Sequence, residues 1–141
     1  MLLLDPHTLD QFSEKNESAA AQSHPDLKRL LNLLSEKDRV LVEMALKHNL
    51  SRRQIAVILG LTPGTITRKI RRVVNRLNDP LIAALANPTC TLSAEHRQIA
   101  IEYFLHRQSV ADLSRQHALS KNEVRTILDY VRGWHRGISS R

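Results

Sequence analysis

Between Thr65 and Arg76 the chain carries Arg68, Lys69, Arg71, Arg72 and Arg76, and no acidic residue stands among them. Cations this dense, without carboxylates to neutralise them, suit the binding of phosphates. The bland alternative is a solvated face that keeps the protein in solution. Placement favours phosphate, because Ile66, Ile70, Val73 and Leu77 recur at helical spacing and leave the cations on the remaining sides of the same helix. Residues in the first turns of such a helix reach base edges. Thr65, Thr67 and Arg68 are therefore the candidates for reading sequence, with Pro63 and Gly64 letting the backbone come close. Lys69, Arg71 and Arg72, together with the earlier Arg52 and Arg53, are candidates for holding phosphates.

No other chemistry competes with this one. The seven histidines, His7, His24, His48, His96, His106, His117 and His135, show no short ligand pairing, and a lone Cys90 cannot complete a zinc site of known spacing. Neither a glycine-rich phosphate loop nor a nucleophile elbow is present, so neither metal, cofactor nor enzymatic activity is expected.

The elements that position the basic helix are written just before it. Ser51 is a good N-cap and Gln54 completes a capping box, so a short helix begins at Arg52 and is expected to turn Ile55, Ala56, Ile58 and Leu59 inward. Gly60 ends it, since glycine takes the left-handed conformation without a Cβ penalty. Thr62 then caps a second helix with Pro63 at its first position. A short helix, a tight turn and a second polar-faced helix make a helix-turn-helix, whose second helix enters the major groove.

This stretch resembles the fourth conserved region of bacterial sigma factors of the sigma-70 class, the part that reads the upstream promoter element. The likeness runs from LSEKDRVLVEMAL, Leu34 to Leu46, which is similar to the helix preceding the motif in that family, to RLNDP, Arg76 to Pro80. Matched residue by residue, the resemblance places the base-reading positions on Pro63, Gly64, Thr67 and Arg68. Two of these lack a polar side chain, so the family's promoter preference does not carry over. The resemblance also implies a contact with RNA polymerase. A complete sigma factor is not expected, because the chain has no room for the aromatic and basic domain that melts promoters.

The rest of the composition agrees with a nucleic-acid binder. The 141 residues carry a formal net charge of +7 and a pI near 10.2. Four glycines, few aromatic residues and apolar side chains at helical spacing argue for an all-α fold. No apolar run approaches the roughly 20 residues of a membrane span. Met1-Leu2-Leu3-Leu4, followed by Asp5 and Pro6, is not expected to act as a signal peptide. With Cys90 alone suiting a reducing compartment, the expected place is the bacterial cytoplasm, on the nucleoid.

Residues 1–25 are polar and weakly patterned apart from Leu2, Leu3, Leu4, Leu9 and Phe12, and are expected to form a flexible, mobile arm. Asp26 is expected to cap a helix carrying Leu27, Leu30, Leu31 and Leu34, and Ser35 the next one, with Val40, Leu41, Met44 and Ala45 inward. Pro80 starts a further helix, and Asn87-Pro88-Thr89-Cys90-Thr91 reads as a linker. The first unit thus spans 26–86, with its motif at 51–77, and the linker 87–91.

Beyond the linker the chain repeats itself. An offset of 58 residues, from Leu34 to Leu92, aligns the halves without a gap, pairing Arg39 with Arg97, His48 with His106, Ser51 with Ser109 and Leu61 with Leu119. Ile55/Leu113, Thr62/Ser120, Ile66/Val124, Ile70/Leu128 and Val73/Val131 are conservative pairs, so caps fall under caps and core under core. A second helix-turn-helix is therefore expected over 92–137, with its motif at 109–135 and a tail at 138–141. Two tandem sigma region 4-like units result. In the second, Ala118 replaces Gly60, and Glu123 and Asp129 dilute the charge of Lys121, Arg125, Arg132 and Arg136. Its reading positions would be Lys121, Asn122, Arg125 and Thr126, either in auxiliary DNA contact or in a protein-binding or structural role. Tyr130 and Trp134 are expected to close its core.

The function this implies is sequence-specific binding of double-stranded DNA by a transcriptional regulator of a bacterium, phage or mobile element. Rival readings are an adaptor or anti-activator that binds RNA polymerase or a regulator, and the DNA-binding part of a recombinase or transposase. Oligomeric state stays open, since tandem units read adjacent half-sites as a monomer whereas dimers impose a palindrome.

Overall fold

The computed structural model describes residues 25–140, so the arm expected over 1–25 lies, Pro25 apart, outside the described residues. Those residues form α1 (Pro25–Leu33), α2 (Glu36–Leu46), α3 (Arg52–Leu59), α4 (Pro63–Leu77), α5 (Pro80–Ala86), α6 (Ala94–Phe104), α7 (Val110–His117) and α8 (Lys121–Ser139). The described chain is all-helical and makes two compact units, one ending at Asp79 and one beginning at Pro80.

In the first unit each helix starts where the sequence supplies a cap. The Ser51 hydroxyl accepts from the Gln54 amide at 3.2 Å while Gln54 Oε1 accepts from the Ser51 amide at 2.8 Å, so two orphan donors of α3 are satisfied together. Gly60 follows at φ +69° and turns the chain into α4, which Thr62 caps through the Thr65 amide at 3.2 Å. α1 is the exception. It begins at Pro25, whose fixed φ suits a first helical position, and Asp26 therefore lies inside the first turn instead of capping it.

The core gathers Leu27, Leu30, Leu31 and Leu34 with Leu41, Val42 and Leu46, then Ile55, Ala56, Ile66, Ile70, Val73, Val74 and Leu77. Each leucine, isoleucine or valine among them contributes about 1.5–3 kcal/mol by leaving water. The inward face of α2 is turned by about one residue from the expected one. Val40 is 39% exposed, and Met44 and Ala45 are half-buried. On α3, Ile55 and Ala56 are buried, but Ile58 is 56% exposed and Leu59 41%. With eight residues packed chiefly on α4, α3 has room to bury one narrow face.

The second unit repeats these devices. Ser109 and Asp112 make the capping box of α7, at 3.1 and 3.4 Å, and Ser120 caps α8 through the Glu123 amide at 3.0 Å. Hydrogen bonds from Ser109 and Arg115 hold the Asp112 carboxyl below its ordinary pKa. Ile99, Leu113, Val124 and Leu128 form the core, with Phe104, Leu119 and Ile127 packed against it. The loops correspond as well. Asn49 and Arg107, equivalent under the offset, both take positive φ, and the next amides, of Leu50 and Gln108, reach Met44 O at 3.1 Å and Glu102 O at 3.0 Å.

Three features of this unit differ from expectation. α5 packs on α6, where Arg97 Nε donates to Leu85 O at 2.8 Å, so the units part at Pro80 instead of at 87–91. Residues 87–91 still form a turn, with Asn87 Oδ1 accepting from the Thr89 amide at 2.9 Å. α8 continues to Ser139, into the expected tail. Tyr130 is 58% exposed and meets His96 edge-on, whereas Trp134 is half-buried and donates from Nε1 to Thr91 at 2.8 Å.

One equivalent position inverts its chemistry. In the first unit Val40, Leu41, Leu59, Leu61 and Lys69 line an open, mainly apolar groove of about 540 Å³. The counterparts of Val40, Met44 and Leu59 are Gln98, Glu102 and His117, and these are bonded to one another. Gln98 Nε2 donates to Glu102 Oε1 at 2.7 Å, and His117 Nε2 lies 2.6 Å from Glu102 Oε2, with Glu102 buried.

Ala118 takes φ +54°, the left-handed conformation that Gly60 adopts without strain. Ala118→Gly should stabilise the second unit by about 1 kcal/mol, and Gly60→Ala should destabilise the first by a similar amount. The single Trp134 sits in the second unit, so denaturant unfolding followed by its fluorescence reads the first variant, and circular dichroism the second. An unmoved Trp134 midpoint in Ala118→Gly refutes the strain.

Candidate nucleic-acid interface

α4 is fixed about its own axis by the side it buries. Ile66, Ile70, Val73, Val74 and Leu77 take one face, and at about 100° per residue the opposite face falls to Gly64, Arg68, Arg71, Arg72 and Asn75, all exposed. Asn75 escaped the sequence reading. Its spacing of i+11 from Gly64, three helical turns, was the signal that could have found it.

The remaining expected residues sit on the flanks. Thr67 faces α3, where its hydroxyl accepts from Arg52 Nη1 at 3.1 Å and donates to Pro63 O at 3.1 Å. This ties the start of α3 to the start of α4. Thr65 lies beside Thr62, with the two hydroxyl oxygens 2.9 Å apart, and accepts from Arg68 Nη2 at 3.3 Å. Lys69 borders the groove with α2, and Arg76 reaches Asp38 on α2 at 3.4 Å. Arg53 is exposed and Arg52 half-buried. Pro63 and Gly64 are both exposed, and a Cβ built on Gly64 would meet nothing within 4 Å. Nothing inside the protein requires that glycine.

Positive charge dominates this face. α4 has no acidic residue in its first turn and none further along. Its N-terminal amides add a partial positive charge at the end where Pro63 and Gly64 stand.

On α8, Lys121, Asn122, Arg125 and Thr126 are all exposed. Asn122 Oδ1 accepts from Arg125 Nη1 at 3.2 Å, and Thr126 donates to Asn122 O at 2.9 Å. Opposite the buried Val124, Leu128 and Val131 lie Asn122, Thr126, Asp129 and Gly133, so Arg71 has Asp129 as its counterpart and Arg72 has Tyr130. The cations Lys121, Arg125, Arg132 and Arg136 follow one flank instead. Arg132 pairs with Asp129 at 3.0 Å and its guanidinium stands 5.3 Å over the Phe104 ring.

No helix among the described residues is long and apolar enough to cross a membrane. Residues 25–77 match the family model described as Sigma-70, region 4. The matched stretch starts where α1 starts and stops where α4 stops, and it leaves the second unit outside. Nothing among curated proteins or solved structures matches the chain. The helices α1 to α4 are thus a sigma-70 region 4-like unit, a helix-turn-helix of DNA-binding fold, within this chain.

Proposed function

We propose that the protein binds double-stranded DNA in a sequence-specific way and regulates bacterial transcription, with α4 in the major groove. The observation that carries this is the outward face of α4, cationic and free of acids on a helix whose apolar side is wholly committed to the core. Arg68 reads a base edge. Arg53, Lys69, Arg71 and Arg72 hold phosphates, with Asn75 further along the same face. Gly64 and Pro63 let the backbone approach, and the Arg52–Thr67 bond keeps the two helix starts in register. Through Lys121, Arg125 and Thr126 the second unit adds an auxiliary contact, with Asn122 bonded to Arg125, and the contact is weaker because Asp129 stands where the first unit has Arg71.

RNA polymerase is the protein partner in this reading. The groove supports it, since Val40, Leu59 and Leu61 leave apolar surface exposed beside Lys69, while Gln98, Glu102 and His117 satisfy one another at the equivalent place. An adaptor that binds polymerase without DNA would use the groove alone.

Selection from a random duplex library at fixed salt tests the DNA reading. One motif should be enriched, and Arg68→Ala should relax one position of it by about tenfold while Arg125→Ala alters only its flank. Arg72→Ala should weaken all sequences alike and lower the slope of log affinity against log salt by about 1. Enrichment of no motif overturns sequence reading. Gly64→Ala separates fold from binding: it should raise stability by about 0.5 kcal/mol, because the helix gains alanine at an open site, and still weaken DNA. For the polymerase contact, Leu59→Glu should abolish capture of core polymerase and leave the duplex selection intact. Unchanged capture removes the groove from the proposal.

A further inference from the structure

On the reading of α4 and α8 as DNA-facing helices, the two arginines in their first turns share an arrangement. Arg68 Nη2 donates to Thr65 Oγ1 at 3.3 Å, and Arg125 Nη1 donates to Asn122 Oδ1 at 3.2 Å. Each guanidinium is held by an acceptor three residues earlier, on the adjacent turn of the same face. We propose that each unit reads one guanine through one such arginine, and that Thr65 and Asn122 are positioning residues that set its reach without touching a base.

The chemistry supports a positioning role on both sides of the bond. A guanidinium has five N–H donors, so after one is given to Thr65 or Asn122 four remain, and two parallel ones match O6 and N7 of guanine. An exposed arginine otherwise loses about 2 kcal/mol of rotamer entropy when it is fixed on a base. Part of that loss is taken before DNA arrives. Thr65 is itself held, because its oxygen lies 2.9 Å from Thr62 Oγ1, which also accepts from the Thr65 amide at 3.2 Å. The cap of α4 therefore runs through Thr65 to Arg68.

The neighbours lack these means. The hydroxyl proton of Thr67 goes to Pro63 O and its oxygen accepts from Arg52, which commits it to the protein. Three residues before Arg71 and Arg72 stand Arg68 and Lys69, which have no acceptor. In the first turns of α4 and α8 the arrangement thus falls on Arg68 and Arg125, while Arg132, held by Asp129 in the same way, stands further along α8.

The two arginines are not at equivalent positions. Under the 58-residue offset Arg68 corresponds to Thr126, and Arg125 to Thr67. Arg125 therefore stands one residue earlier on its helix, about 100° around and about 1.5 Å along the axis. The two half-sites then carry their guanines at different places, and the whole target is not a simple direct repeat.

The experiment uses the full chain with the selected duplex and its complete set of single-base substitutions, at two salt concentrations. Thr65→Val keeps the shape and removes the hydroxyl. It should cut discrimination about tenfold at one G·C pair, the pair that Arg68→Ala also relaxes, while affinity for random duplex and its salt slope stay as in the parent. Thr65→Ser should restore discrimination, and Thr65→Val combined with Arg68→Ala should lose no more than Arg68→Ala alone. Asn122→Ala should act in the same way on a second pair, the one relaxed by Arg125→Ala. Loss at a pair that the arginine variant leaves intact means that Thr65 or Asn122 contacts the base itself, which overturns the inference. So does full discrimination in Thr65→Val and Asn122→Ala. If Arg68→Ala and Arg125→Ala relax no pair at all, the reading of the helices falls, and the positioning role with it.

Discussion

Burial of one stripe on α4 is the constraint on which the other features depend. Ile66, Ile70, Val73 and Leu77 can be dry only if the helix takes one rotation about its axis, and at about 2 kcal/mol for each buried side chain no exposed ion pair competes with that choice. The rotation decides which side chains are left to face outward. Arg68, Arg71, Arg72 and Asn75 present themselves because the opposite side is committed, and Thr67 is turned to α3 for the same reason. The capping box at Ser51, the left-handed Gly60 and the Thr62 cap serve the same end, since they fix where α4 begins along the unit.

In the second unit this constraint is kept and its consequence changed. Val124, Leu128 and Val131 bury the equivalent stripe, so α8 has the same outward face, yet Asp129 and Tyr130 occupy the places of Arg71 and Arg72. The core of a repeat is held by packing, which penalises almost any change of volume or polarity. Its outward face is held only by what it binds. Two copies can therefore keep one fold and differ in charge, and the family match, which ends at Leu77, falls on the copy whose cations face outward.

The devices legible in the sequence are those written in local chemistry. Ser51 with Gln54, Gly60, Thr62 with Pro63, and the caps Ser109 with Asp112 and Ser120 in the second unit rest on hydrogen bonds between neighbours or on glycine's freedom at positive φ. What was not legible depends on distant partners. Nothing near Ile58 and Leu59 tells how narrow a face α3 will bury, and nothing near Tyr130 tells that it will meet His96 at the surface. The helix from Pro80 to Ala86 has apolar residues fit for either unit. Its packing on α6, with Arg97 reaching Leu85 O, assigns it to the second. For the candidate site the limit was similar. A charge count finds Arg68, Lys69, Arg71 and Arg72 but cannot tell which are turned outward, nor that Thr67 is occupied by Arg52 and Pro63.

The groove of the first unit and the polar trio of the second stand at equivalent places with opposite chemistry. An exposed apolar surface beside α2 costs the first unit hydration free energy that its own fold does not recover. The second unit shows that the same backbone can do otherwise, with Gln98, Glu102 and His117 bonded across the same place. A buried pair of this kind is not a strong source of stability, because desolvation offsets much of the attraction. Its effect is to make that surface polar and self-satisfied, which leaves it little to offer an apolar partner. The unit whose α4 face carries the cations also keeps the apolar groove, and the unit with the diluted charge has a bonded polar trio at that place. Outward cations and exposed apolar surface thereby both stand on the first unit, where α4 carries Arg68 on its outward face and borders the groove through Lys69.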